Sequence, residues 1–190
     1  MLDWFIPQTV EVITSKFNGE IKIKKISGEY VVWAGGFEQS GFLVERLWEK
    51  ALGNLPAGKA GVAMEQCNNA LVLGLGCGSI LKPLQKKFPK TKITGVEIDP
   101  VMINLGKKYF KLDKVKNLKI VCSDAKVFLQ KTKQKFDLIL VDAYLGKKRI
   151  NFGNLKKFLN KGGVILINKL ESGKNEVLIS RKDNPKSRGN

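Results

Sequence analysis

The chain has 190 residues and a formal net charge of +17, from 34 basic and 17 acidic side chains. That length holds one α/β domain with a small appendage, and no apolar run reaches the about 18 residues of a membrane span. There is no histidine, and Cys67, Cys77 and Cys122 fit no metal-ligand spacing, which argues against a zinc site and a histidine base.

The first residues, Met1-Leu-Asp-Trp-Phe-Ile-Pro7, carry an early acid and no basic stretch, unlike a secretory signal, so a cytoplasmic protein is expected. Alternating runs at Val10–Thr14, Glu20–Ile26 and Tyr30–Trp33 are separated by Asn18-Gly19 and Ser27-Gly28. They predict an antiparallel meander that ends at Gly35-Gly36. A helix follows, with Leu43, Leu47, Trp48, Ala51, Leu52 and Leu55 on one face. Trp33, Trp48 and Phe42 are expected to pack the meander against this helix, or else to form a subunit interface. Pro56-Ala-Gly58-Lys-Ala-Gly61 is the clearest break, which divides residues 1–58 from a main domain over 59–181.

After Asn69, apolar strands alternate with helical segments, the pattern of a parallel sheet covered on both faces. The predicted strands are Leu71–Gly74, Lys92–Glu97, Leu118–Cys122, Phe136–Asp142 and Val164–Asn168, with a last strand at Glu176–Arg181. Helices are expected near 80–88, 100–110, 125–132 and 152–160, the second started by Asp99-Pro100. Lys161-Gly162-Gly163 reads as a tight entry to the fifth strand, and the polar tail 182–190 as disordered. The fold class is thus a doubly wound, mostly parallel α/β sheet with an N-terminal antiparallel appendage.

The first strand runs into Gly74-Leu-Gly76-Cys-Gly78-Ser79. Glycines let the backbone turn sharply and approach a ligand at the strand's C-terminal edge. A dinucleotide pattern would place its third glycine at 79, where serine stands; here it falls at 78, the spacing of S-adenosylmethionine folds. Gly74, Gly76, Cys77 and Gly78 are therefore candidate nucleoside contacts. Cys77 is either a thiol activated at a helix N-terminus or a small filler. Glu97, with Ile98 beside it, closes the second strand where an acid accepts from ribose hydroxyls, or is a solvated strand end. Asp124, with Ala125, follows the third strand, near an adenine or as a helix cap.

Gly36-Phe-Glu-Gln39-Ser-Gly41, Val72-Leu-Gly-Leu-Gly-Cys-Gly78, Gly95-Val-Glu97-Ile-Asp99-Pro100, Ser123-Asp124-Ala125 and Phe136-Asp-Leu-Ile-Leu-Val-Asp142 stand in one order over roughly residues 10–181. In this the chain resembles the spermidine synthase (polyamine aminopropyltransferase) family, within the class I S-adenosylmethionine-dependent methyltransferase superfamily. The resemblance implies a donor, S-adenosylmethionine or its decarboxylated form, and no metal. It implies that Gln39 lies near the sulfonium, Glu97 holds the ribose, Asp124 and Ala125 flank the adenine, and Asp142 orients and deprotonates an attacking amine. Tyr144 is a candidate beside it, for stacking or cation–π contact, or is a half-buried loop aromatic.

Two positions depart from the family pattern. Cys77 stands where the family usually has an Asp that binds the donor's amine, and Leu145 where a second Asp follows the first; Trp48-Glu49-Lys50 replaces Tyr-His-Glu. A dicationic acceptor needs carboxylates to replace its water, so these losses, with the net charge of +17, argue against a polyamine acceptor and leave aminopropyl and methyl transfer both open. The charge fits nucleic acid as partner, hence a nucleic-acid methyltransferase, or simply lysine-rich composition. A nucleoside-binding protein without turnover is the third reading. The chain's short stretch after the fifth strand leaves a sheet edge that a second copy would cover in a homo-oligomer.

Overall fold

In the computed structural model, residues 6–55, 64, 66–145, 148–171 and 174–181 are described. Alternation builds the N-terminal sheet from β1 (Gln8–Ser15), β2 (Gly19–Ile26), β3 (Glu29–Ala34) and β4 (Phe37–Ser40), all antiparallel in that order. Every second residue faces inward, so Ile21, Ile23, Val32 and Ala34 pack with Met102 and Leu105 of the main domain. The meander does not end at Gly35-Gly36. Their φ values of 61° and 84° are the two left-handed positions of a tight hairpin turn, which leads into β4. Four residues are too few to show an alternation, and Gln39 therefore lies in a strand rather than a loop.

The helix α1 (Phe42–Gly53) buries Trp48, Ala51 and Leu52, while Leu43, on the expected stripe, is exposed. Trp48 does not pack against the meander as expected. It enters the main core with Leu52, Val72 and Leu140, whereas Trp33 stays at the meander under the Lys24 ammonium, 5.0 Å from its ring.

The main domain then runs β5 (Asn69–Leu73), α2 (Leu81–Lys87), β6 (Lys92–Glu97), α3 (Pro100–Phe110), β7 (Leu118–Cys122), α4 (Ala125–Lys131) and β8 (Phe136–Val141). A short ribbon, β9 (Tyr144–Leu145) and β10 (Lys148–Arg149), precedes β11 (Leu159–Glu171) and β12 (Lys174–Arg181). The six-stranded sheet has the order β12-β11-β8-β5-β6-β7, parallel except for β12, which is antiparallel to β11. Successive side chains of β5 and β8 point to opposite faces. Ala70, Val72, Leu138 and Leu140 meet α1 and α2 on one side, and Leu71, Leu73, Ile139 and Val141 meet Leu129, Leu155 and Phe158 on the other. This is the expected doubly wound arrangement.

The helix expected over 152–160 is only a 3-10 turn, Leu155–Phe158, after which β11 begins at Leu159. Gly153 sits at φ 66°, and Leu155 and Phe158 supply one apolar pair at i, i+3, too little for an amphipathic helix. Lys161-Gly162-Gly163 is an irregularity within β11, between Leu159 and Val164, rather than its entry. The break at 56–61, with the expected boundary at 58/59, and the tail 182–190 lie outside the described residues. Among the described residues no helix is long and apolar enough to cross a membrane.

Candidate active site

A cavity of about 300 Å³ opens at the C-terminal ends of β5, β6, β7 and β8, where the connections of a doubly wound sheet diverge and ligands bind. Its floor is the glycine loop. Gly74 has φ 85°, and a Cβ there would stand 2.5 Å from the carbonyl oxygen of Asp142. Only glycine lets the loop pass that close to the end of β8.

Gly76 N donates to Glu97 Oε2 at 2.7 Å, and Asp99 N donates to Oε1 at 3.0 Å. Glu97 is thus a buried, fixed carboxylate and not a solvated strand end. Burial pushes its pKa up, and these backbone donors pull it back. Asp99 caps α3 through Val101 N at 2.9 Å and also accepts from Ser15 Oγ and, at 2.6 Å, from Asn18 Nδ2. The β1–β2 turn is thereby pinned beside Glu97, and its Phe17 and Asn18 line the cavity. Asp124 accepts from Lys126 N and Val127 N as the α4 cap and lines the cavity as well.

Cys77 and Gly78 do not line it. The Cys77 side chain turns away into the packing of Ile21, Ile23 and Met102, where its Sγ donates to Met102 O at 3.3 Å. Burial pushes the thiol pKa up, the reverse of an activated thiol, and fits the small-filler reading. Its backbone is nonetheless part of the cradle: Cys77 N donates to Ser40 Oγ at 3.0 Å, and Gly41 N donates to Ser79 Oγ at 2.9 Å. These two bonds stitch the β4–α1 segment to the glycine loop.

Asp142 stands just past β8. Trp48 Nε1 donates to its Oδ2 at 3.0 Å, and Asn168 Nδ2 to its Oδ1 at 2.8 Å. Burial pushes the Asp142 pKa up, and these two donors oppose it. The Asn168 Oδ1 is buried with no hydrogen-bond partner among the described residues. Tyr144 lines the cavity, and its hydroxyl donates to the Asn168 carbonyl at 2.7 Å. Gln39 lines it from β4, its Nε2 donating to Ala34 O at 3.2 Å.

The profile of the spermine/spermidine synthase domain matches residues 49–183. The chain belongs to this family. A probable polyamine aminopropyl transferase of Bifidobacterium longum (strain NCC 2705) is 33% identical over 111 residues, 55% of this chain but 24% of the relative. An eEF1A lysine and N-terminal methyltransferase homolog of Drosophila pseudoobscura pseudoobscura is 35% identical over 77 residues, 39% of this chain and 11% of that protein. The crystal structure of a probable spermidine synthase from Corynebacterium glutamicum superposes with a TM-score of 0.66 at 16% identity, over 85% of this chain and 64% of that one. The fold is thus that of the spermidine synthases, and this chain spans 24% of the length of one of the curated relatives it matches and 38% of another.

Of the residues singled out in sequence, Gln39, Gly74, Gly76, Glu97, Ile98, Asp124, Ala125, Asp142 and Tyr144 come together around the cavity of this spermidine synthase fold. Three further groups were not foreseen there. Trp48 and Asn168 hold Asp142, and Glu38 lines the cavity from β4. The acid next to Gln39 was the visible signal for Glu38, and the departure at Trp48-Glu49-Lys50 one for Trp48; nothing local marked Asn168. The described lining carries four carboxylates, Glu38, Glu97, Asp124 and Asp142, against one ammonium, Lys126. A strongly basic chain therefore presents an acidic site, and its net charge does not argue against a cationic ligand. Among the described residues there is no group of three or more side chains suited to a metal.

Proposed function

We propose that this chain is a transferase that binds an adenosyl sulfonium donor, decarboxylated S-adenosylmethionine, and directs an aminopropyl group to an amine acceptor. When bound, the donor supplies a carbon made electrophilic by its sulfonium. The Gly74–Gly76 backbone admits the nucleoside, Glu97 accepts from the ribose hydroxyls, and Asp124 with Ala125 and Ile98 borders the adenine. Asp142 faces the acceptor. A free alkylamine has a pKa of about 10 and arrives protonated, so a carboxylate within reach orients it and takes its proton as it attacks. One observation carries this reading: four carboxylates, Glu38, Glu97, Asp124 and Asp142, line the cavity against one ammonium, Lys126, and carboxylates are the groups that replace the water around a cationic amine.

A second reading, methyl transfer from ordinary S-adenosylmethionine, is favoured by Cys77, which supplies no acid to the cavity, and by the resemblance to the methyltransferase homolog over 77 residues. Calorimetric titration with both donors separates the two. Tighter binding of the decarboxylated donor, with methylthioadenosine released when amines are added, supports aminopropyl transfer. Tighter binding of the ordinary donor, with S-adenosylhomocysteine released, supports methyl transfer. A donor that binds and is never consumed supports a sensor.

The same proposal includes a cytoplasmic location, which the three free cysteines fit, and a homo-oligomer, supported by Leu178 and Ile179 exposed on the edge strand β12. Light scattering reads the latter. Nucleic-acid binding by the +17 chain would weaken steeply with salt.

A further inference from the structure

The four lining carboxylates are not equally available. Both oxygens of Glu97 and both of Asp142 already accept hydrogen bonds. Asp124 spends one oxygen on the α4 cap and is exposed at its helix end. Glu38 is half-buried on β4. Its Oε1 accepts from Leu43 N at 2.8 Å and Val44 N at 3.3 Å, at the start of α1, where Gly41 offers no side-chain cap. No hydrogen bond to its Oε2 occurs among the described residues. One oxygen thus anchors the side chain, which lines the cavity, and the other accepts no hydrogen bond among the described residues.

From this geometry we propose that Glu38 is a specificity-determining residue, whose Oε2 receives an alkylammonium group of the ligand. The inference rests on the reading of the cavity as an adenosyl sulfonium site. It answers a charge question that the sequence raised. Neither Cys77 nor Leu145 can bring the acids expected at those positions, and Glu38 brings one from another strand. Its anchoring removes the entropy of ordering a free side chain, and the positive end of α1 keeps the carboxylate ionised when a cation is near. Without a ligand, burial is the larger influence and holds its pKa up, so an ammonium would relieve an unfavourable charge. Helix α1 also links the two acids: Val44 N bonds Glu38, and Trp48, about one turn later, bonds Asp142.

The ammonium belongs either to the donor's aminopropyl arm or to the acceptor. The test is calorimetry on the full chain and on Glu38→Gln, which keeps an oxygen for the α1 cap and loses the charge. Three ligands are titrated: methylthioadenosine, which has no amine; decarboxylated S-adenosylmethionine; and putrescine added to methylthioadenosine-saturated protein. The variant is expected to bind methylthioadenosine within about twofold of wild type, and one of the two amines about tenfold or more weakly. Loss with the decarboxylated donor places the donor arm at Glu38, and loss with putrescine places the acceptor there. Equal affinities for all three ligands in both proteins, or equal weakening of all three, overturns the proposal. Wild-type protein that binds no nucleoside overturns the adenosyl reading and this inference with it. Glu49→Gln, on the same helix but paired with Lys86 at the surface, should leave all three affinities unchanged.

Discussion

Asp142 is held from two sides by donors on different elements, and each of them tunes its proton affinity. The Trp48 N–H favours the ionised carboxylate against the pull of burial. Trp48→Phe keeps an aromatic in the core and removes that N–H. The Asp142 pKa should rise further, so the acidic limb of the kcat/KM profile should move to higher pH, and kcat/KM at neutral pH should fall about tenfold. A tryptophan that only fills space would lower stability and leave the limb in place. Glu97 makes a different case, because each of its oxygens already accepts one backbone N–H and keeps a second lone pair for a ribose hydroxyl. Glu97→Gln puts an NH2 against one of these N–H groups and leaves a buried donor unpaired. Methylthioadenosine affinity should drop by about tenfold to a hundredfold, read by the same calorimetry.

At the scale of elements, caps do more than end helices here. Among the described residues the Asp124 side chain bonds only the α4 N–H groups, whereas buried Asp99 caps α3 and binds Ser15 and Asn18 of the β1–β2 turn. Asp124→Ala should cost about 1 kcal/mol in urea denaturation. Asp99→Ala should cost more, by about another 1 kcal/mol or above, since it leaves two side-chain donors without an acceptor. Equal losses would mean that the hairpin is held by its apolar face alone. Asp99-Pro100 was legible in sequence because capping is local chemistry, and the main strands were legible because their apolar runs are bounded by glycine, proline and polar residues. The strand β4 was not, being four residues long, and neither was the 3-10 turn at Leu155–Phe158, whose composition allows a helix that its surroundings do not complete. The glycine loop and the acids at three strand ends named Gly74, Gly76, Glu97, Asp124 and Asp142 of the cavity lining. What sequence could not yield is contact across distance. Trp48 and Asp142 are 94 positions apart, and only the packed structure shows that the Cys77 side chain joins the meander core while Glu38 lines the cavity.

At the scale of the whole molecule, a chain of net charge +17 surrounds a cavity in which Glu38, Glu97 and Asp142 all have pKa values raised by burial. Carboxyls raised in the folded state contribute stability that is fully present below their unfolded values. That stability is lost as the pH rises through the folded ones. The unliganded protein therefore carries a charge penalty in its site at neutral pH. A cationic ligand reverses it, because a nearby positive charge lowers carboxyl pKa values. Binding should then release protons at mildly acidic pH, where these groups are partly protonated without ligand and ionised with it. The binding enthalpy of the decarboxylated donor should differ between two buffers of unlike ionisation enthalpy, in the direction of proton release, and affinity should weaken as the pH falls. Methylthioadenosine, which is neutral, should show little of either effect. If both ligands released equal numbers of protons, the ribose contact at Glu97 would account for the linkage, and the acidity of the remaining lining would have no part in recognising charge. Proton release confined to the cationic ligand, and reduced in Asp142→Asn, would tie the buried carboxylates to the ligand's charge and explain how a basic protein accommodates a cationic substrate.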